Sequence, residues 1–252
     1  MKVIFIAGTA GSGKSLLSSK IHEYYTRNGA FTAILNLDPG VISLPYTPDI
    51  DIRDFVDIVQ IMKQYHLGPN GALIMANDLI ASKIDEIQQE ADSVNPDYLI
   101  IDTPGQIELF AYRTSGPYFA NNFSADQKSA LFLYDGTLVT TAINFVSMAL
   151  LATSIKLRLG LPAINVLTKT DLIADKISEI LRWTTNIKLL ENAISAESDG
   201  DTYVLLTNVL RSLNISGFAQ GLVPISNATG DGLPNLEAAL SRILNLGEEM
   251  ED

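Results

Sequence analysis

Cysteine is absent from the 252 residues. That removes disulfides, thiolate metal sites and thiol nucleophiles together. Histidine is nearly absent: His22 and His66 are the 2 in the chain. A histidine-rich metal site or a Ser-His-Asp triad is therefore disfavoured. Basic residues are outnumbered, 17 Lys and Arg against 29 Asp and Glu, for a formal charge of −12. A general nucleic-acid or anionic-membrane binder needs Lys and Arg in bulk to neutralise phosphate, so direct nucleic-acid binding is not expected, although a local basic site is not excluded. Glycine and proline stand near ordinary usage, and 47% apolar types is too apolar for a disordered chain.

Long apolar runs are also scarce. The opening run, Val3 to Ala7, is too short for the core of a secretory leader. Thr137 to Ile155 carries no charge, but Thr137, Thr140, Thr141, Asn144, Ser147, Thr153 and Ser154 interrupt it. It falls between two strand-like runs, where a buried crossover helix belongs; a membrane span is the alternative by length. A cytoplasmic protein without an anchor is expected.

What is present alternates. Apolar runs at Lys2–Ala7, Thr32–Leu37, Tyr98–Asp102, Ala130–Tyr134, Ala163–Thr168 and Leu222–Ile225 are mostly rich in Val, Ile and Leu without polar alternation. That pattern marks strands covered on both faces. Helical stretches separate them, at Ser15–Arg27, Phe55–His66, Ala72–Val94, Thr137–Arg158 and Pro234–Leu246. The reading is a three-layer α/β fold with a mainly parallel sheet in one domain spanning residues 1–252. Two stretches exceed crossover length and read as helical insertions, 38–94 after the second strand and 171–221 after the fifth. The acidic tail, 247–252, reads as frayed.

Gly8-Thr9-Ala10-Gly11-Ser12-Gly13-Lys14-Ser15 follows a strand and opens a helix. This is G-x-x-x-x-G-K-[ST] in the context that gives it meaning, the phosphate loop of P-loop nucleotide-binding proteins. Glycines let backbone amides at Gly11, Ser12, Gly13, Lys14, Ser15 and Leu16 face phosphate oxygens, and the helix N-terminus adds favourable partial charge. Lys14 reaches the β- and γ-phosphates, and Ser15 offers a hydroxyl to Mg²⁺.

A second carboxylate closes an apolar strand at Asp102, followed by Thr103-Pro104-Gly105-Gln106-Ile107-Glu108. At the end of a strand near the phosphate loop, Asp102 can hold Mg²⁺ through water. The D-T-P-G stretch resembles the third motif of GTP-binding proteins, which gives Gly105 an amide for the γ-phosphate and puts Gln106 and Glu108 where they could orient water. Asn165 to Asp171 ends the fifth run and resembles the guanine motif N-K-x-D, with Thr168 in place of Asn. Asp171 would accept from guanine N1–H and N2–H₂, a pair adenine cannot offer. Lys169 would lie along the base. Ser226-Asn227-Ala228 resembles the fifth motif, where a backbone amide contacts the guanine oxygen. The plain alternative for Asp171 is a helix cap.

Between the two helices of the first insertion stands Leu67-Gly68-Pro69-Asn70-Gly71. Alone it reads as a β-turn, with Pro69 fixing φ and Asn70 tolerating the left-handed region. Together with the phosphate loop, D-T-P-G-Q, T-K-T-D, Asn36-Leu37-Asp38-Pro39 and Asp51-Ile52-Arg53-Asp54, it makes the chain resemble the GPN-loop GTPase family, in its archaeal-type form. The resemblance implies Mg-dependent GTP binding and hydrolysis in a homodimer. Each Gly-Pro-Asn loop would approach the partner's nucleotide, so that Asn70 contacts the γ-phosphate region in trans. Asp38 joins Gln106 and Glu108 as a water-orienting candidate and Asp102 near the metal. Eukaryotic relatives are tied to RNA polymerase assembly, which suggests a protein client. The competing readings are an assembly factor with little turnover and a P-loop ATPase or kinase.

Overall fold

The computed structural model describes residues 1–212 and 221–245. The expected acidic tail 247–252 and residues 213–220 of the second insertion lie outside the described residues.

Among the described residues, seven strands form one sheet, and every pairing in it is parallel. They are β1 (Lys2–Gly8), β2 (Thr32–Asn36), β3 (Ile50–Asp51), β4 (Tyr98–Asp102), β5 (Gln127–Asp135), β6 (Ala163–Thr168) and β7 (Val223–Pro224), in the order β3-β2-β4-β1-β5-β6-β7. Alternate residues of each strand face opposite layers. Val3, Phe5 and Ala7 enter one core and Ile4 and Ile6 the other. Both faces are covered, which is why the runs show no polar alternation.

The smaller layer holds α1 (Lys14–Arg27) and α11 (Leu233–Leu244). Leu17, Ile21 and Tyr25 of α1 meet Leu236, Leu240 and Leu244 of α11 over β1 and its neighbours. The larger layer holds the rest: α2 (Ile58–Tyr65), α3 (Pro69–Ile80), α4 (Ile84–Val94), α5 (Ile107–Ala111), α6 (Ser115–Asn122), α7 (Ala142–Leu159), α8 (Ile177–Thr185), α9 (Ile187–Glu197) and α10 (Gly200–Ser212).

Several expectations are corrected. The edge strand β3 was not expected; two residues carry too little periodicity to register. The single helix expected over Ala72–Val94 is two, broken by a 3-10 turn at Ala81–Lys83. The Gly-Pro-Asn stretch is not a β-turn. It starts α3, with Gly68 as N-cap and Pro69 in the first turn, where a missing N–H costs nothing. The left-handed residue is His66, which ends α2. Helices α5 and α6, between β4 and β5, were hidden by Tyr112–Pro117, although Pro117 sits in the first turn of α6, where proline is tolerated.

The uncharged stretch becomes α7, the one described helix long and apolar enough to cross a membrane by length and composition. Its buried residues, Ala142, Phe145, Val146, Ala149, Ala152, Ile155 and Leu159, form a stripe at helical spacing. Phe145 packs on Trp183 with ring centroids 5.6 Å apart. Thr141 caps its start, and the Glu197 carboxylate accepts from the amides of Ala142 and Ile143. The stripe is core.

Candidate functional site

The carboxyl ends of the strands lie along one edge, where ligands of open α/β sheets bind. The loop after β1 is shaped by glycines. Gly11 and Gly13 hold φ of 78° and 93°, the left-handed region, and Gly13 is the N-cap of α1. A side chain there would be strained. The Lys14 ammonium donates to the carbonyls of Gly8 (2.9 Å), Thr9 (3.0 Å) and Gly105 (3.1 Å). It thereby bridges the phosphate loop and the segment after β4. Burial lowers its pKa, against the opposing pull of Asp102, Asp38 and Glu108.

Asp102 ends β4 in register with Ile6 of β1, and the Thr103 hydroxyl donates to the Ile6 carbonyl at 2.7 Å. Asp102 is 1% exposed. Burial raises its pKa; Ser15, Tyr46 and Lys14 act the other way. The Tyr46 phenol donates to Asp102 Oδ2 at 2.7 Å. Sequence reading missed Tyr46, which lies in a proline-punctuated loop without motif.

Asp38 stands beside this pair. Its Oδ2 accepts the Gly105 amide at 2.7 Å and its Oδ1 the Gly40 amide at 2.8 Å. The Gly105 amide, expected to serve the γ-phosphate, is therefore engaged by Asp38, and both Asp38 oxygens are engaged by backbone. Behind them Asn36 donates to Asp51, which Arg53 clamps through Nε at 3.0 Å to both carboxylate oxygens. Gly40 lies so close to Leu73 that an added Cβ would meet Leu73 Cδ1 at 2.8 Å. The loop carrying Asp38 thus rests on the first turns of α3. Gln106 and Glu108 are exposed at the start of α5. Gly68, Pro69 and Asn70 are exposed as well.

At the far end, the three guanine-motif residues do different things. Thr168 is fully buried, and its hydroxyl donates to the Ser12 carbonyl (2.9 Å) and the Tyr134 carbonyl (3.1 Å). It ties β6 to the phosphate loop. Lys169 is left-handed, with φ 57°, and its ammonium pairs with Asp135 at 2.6 Å. Asp171 lies inside the 3-10 turn Thr170–Leu172 and caps nothing. It is exposed, and its Oδ1 accepts the Ser226 hydroxyl at 2.6 Å. Asn227 reaches the Gly13 carbonyl at 3.3 Å, and Ala228 is exposed beside it.

Unsatisfied groups converge here. Of the 7 buried side-chain polar atoms without a hydrogen-bond partner among the described residues, Thr9 Oγ1, Ser12 Oγ, Asp102 Oδ1 and Asn227 Oδ1 belong to this edge. Buried polar atoms left unpaired are costly, so their concentration marks a place built for a polar ligand. Asp102 Oδ1 is an anionic oxygen without a donor, and Ser15 lies near enough to influence it. This pair fits a divalent cation held partly by phosphate oxygens. Among the described residues no group of three or more His, Asp or Glu side chains could hold a metal unaided.

The strand order and this loop define a P-loop nucleotide-binding protein. A family model described as a conserved hypothetical ATP binding protein matches residues 6–246. GPN-loop GTPase QQT2 of Arabidopsis thaliana is 34% identical over 244 residues, 93% of this chain and 62% of that protein. GPN-loop GTPase 1 of Dictyostelium discoideum is 34% identical over 215 residues, 84% of this chain and 52% of its own length. GPN-loop GTPase 3 of Dictyostelium discoideum is 30% identical over 254 residues, 99% of this chain and 89% of that one. The chain thus spans only about half to two thirds of the first two relatives' length. The crystal structure of PAB0955, a GTPase in apo form from Pyrococcus abyssi, superposes with a TM-score of 0.84 at 27% identity, covering 96% of this chain and 97% of that one. The chain belongs to the GPN-loop GTPase family.

Proposed function

We propose that this chain binds GTP with Mg²⁺ and hydrolyses it to GDP and phosphate, as a homodimeric switch. The observation that carries the guanine half is Asp171. Its carboxylate is held by Ser226 on one oxygen and keeps acceptor capacity toward solvent. Guanine presents two N–H donors to such a group; adenine presents none in that pattern. The description of the matching family model names ATP, which supports the competing reading. Competition between GTP and ATP for the purified chain tests them directly. Asp171→Asn should weaken GTP by about a hundredfold and improve xanthosine triphosphate, because its amide matches the carbonyl that replaces the guanine amino group. Loss of both nucleotides without any exchange in preference would remove the guanine assignment.

In the hydrolysis step, Lys14 and the loop amides hold the β- and γ-phosphates. Ser15 and Asp102 would hold the magnesium ion, which neutralises phosphate charge when bound. Water attacks the γ-phosphorus in line, the bond to the bridging oxygen breaks, and GDP leaves. Because such transition states are loose, positioning and charge neutralisation supply most of the rate. Gln106 and Glu108 are exposed near Lys14 and free to orient the water, whereas Asp38 must first release Gly105. Asn70, exposed at the start of α3, would donate to the partner subunit's nucleotide.

A further inference from the structure

Asp135 ends β5 and is 4% exposed. No sequence motif marks it. Its Oδ1 accepts the amide of Thr137 at 3.0 Å and the Thr137 hydroxyl at 2.7 Å. Its Oδ2 accepts the Lys169 ammonium at 2.6 Å. Between them Gly136 donates its amide to the Thr168 carbonyl at 3.1 Å. A Cβ on Gly136 would lie 2.5 Å from that carbonyl oxygen, so the turn is pressed against the end of β6. Thr168 in turn holds the phosphate loop. One continuous set of bonds therefore runs from the phosphate end of the site to the lysine of the guanine motif.

We propose that Asp135 is a positioning residue for guanine: it anchors the Lys169 ammonium so that the lysine's methylene stem is stretched into a fixed wall for the purine ring. The proposal rests on the guanine reading of Lys169 and Asp171. A lysine carries four rotatable bonds, and an untethered one would have to be ordered at each binding event. Here a nearly buried carboxylate, itself oriented by Thr137, has ordered it beforehand. The Lys169 side chain remains 31% exposed against 5% for Asp135, so the lysine is partly open to a ligand while its anchor is not. Its chemistry predicts that Asp135 contributes to the nucleoside part of the ligand and not to its phosphates.

The test compares GDP with inorganic pyrophosphate by calorimetry. Asp135→Asn should weaken GDP by about tenfold and leave pyrophosphate within about twofold. In a Lys169→Met background, which keeps the stem and removes the ammonium, Asp135→Asn should produce no further loss. Equal losses for both ligands, or additive losses in the double variant, would overturn the proposal and leave the pair as a tie between strands. Should Asp135→Asn fail to fold, Thr137→Val keeps the carboxylate and removes one of its donors. It should weaken GDP by about threefold and spare pyrophosphate, and an unchanged GDP affinity would count against Asp135. If the unaltered protein binds GDP no more tightly than pyrophosphate, it is the guanine reading that fails, and with it the premise.

Discussion

Tyr46→Phe is the most informative single change. The phenol donates to Asp102 Oδ2 at 2.7 Å, and that carboxylate is 1% exposed with its other oxygen unpartnered. A hydrogen bond to a charged group contributes about 1.5–3 kcal/mol. The low exposure and the short distance place this one inside that range. The phenol occupies Oδ2 and holds the carboxylate so that Oδ1, the oxygen without a donor, is the one left for magnesium. Removing it leaves a second buried oxygen unpaired and frees the carboxylate to turn. The assays are urea unfolding of the stripped protein and titration with GDP in excess Mg²⁺ and again in a chelator. The Phe variant should lose about 1.5–3 kcal/mol of stability. It should bind GDP about tenfold more weakly in Mg²⁺ and change little in the chelator. Unchanged or tighter binding in Mg²⁺, with the stability lowered as expected, would refute the positioning.

Other consequences are quicker to state. Asn70→Ala should slow single-turnover hydrolysis by about tenfold or more while GTP affinity stays within about twofold; hydrolysis at the original rate would discard its action on the partner's nucleotide. Burial raises the Asp51 pKa, but the hydrogen bonds from Arg53 and Asn36 outweigh it and hold the carboxyl below the ordinary carboxylate value of 3.8. A depressed native pKa stabilises the fold fully above the unfolded value, and the contribution disappears as pH falls through the native one. Asp51→Asn should therefore lower the melting temperature at pH 7, and the difference from the parent protein should shrink as pH falls below 3.8, as followed by thermal denaturation in acid. Phe145→Ala, which empties a site against Trp183 and Tyr134, should destabilise by about 3–5 kcal/mol, measured by urea unfolding.

How far the sequence could be read follows from where information is local. The loop from Gly8 to Ser15 was legible because one stretch supplies strand end, glycines, lysine and helix start together. Asp102 was legible because it closes an apolar run, and Asp171 because it stands at a fixed spacing beyond one. The α/β alternation survived as a sheet because strands covered on both faces need uninterrupted apolar runs. Tyr46 and Asp135 were not legible. Their roles come from partners 56 and 34 residues away, and a lone tyrosine or aspartate has no pattern of its own. Thr168 was placed correctly on its strand, but its bond to the Ser12 carbonyl was not legible, since spacing gives position and not direction. The start of α3 was misread because Gly-Pro-Asn-Gly suits a turn and a helix N-terminus equally well; Ala72, Ala76 and Ile80, all fully buried, decide for the helix.

Gly40 is exposed and comes up against the end of the half-buried Leu73 side chain, with no Cβ of its own in between. Should Asp38 let go of the Gly105 amide when a triphosphate arrives, its loop can slide along Leu73, and the Leu73 side chain can turn to let it pass. Leu73 lies one turn beyond Asn70 on the same rigid rod. In the proposed homodimer, a change at one subunit's nucleotide would then be felt at the base of the segment that reaches for the neighbour, through a glycine that has no side chain to jam the joint.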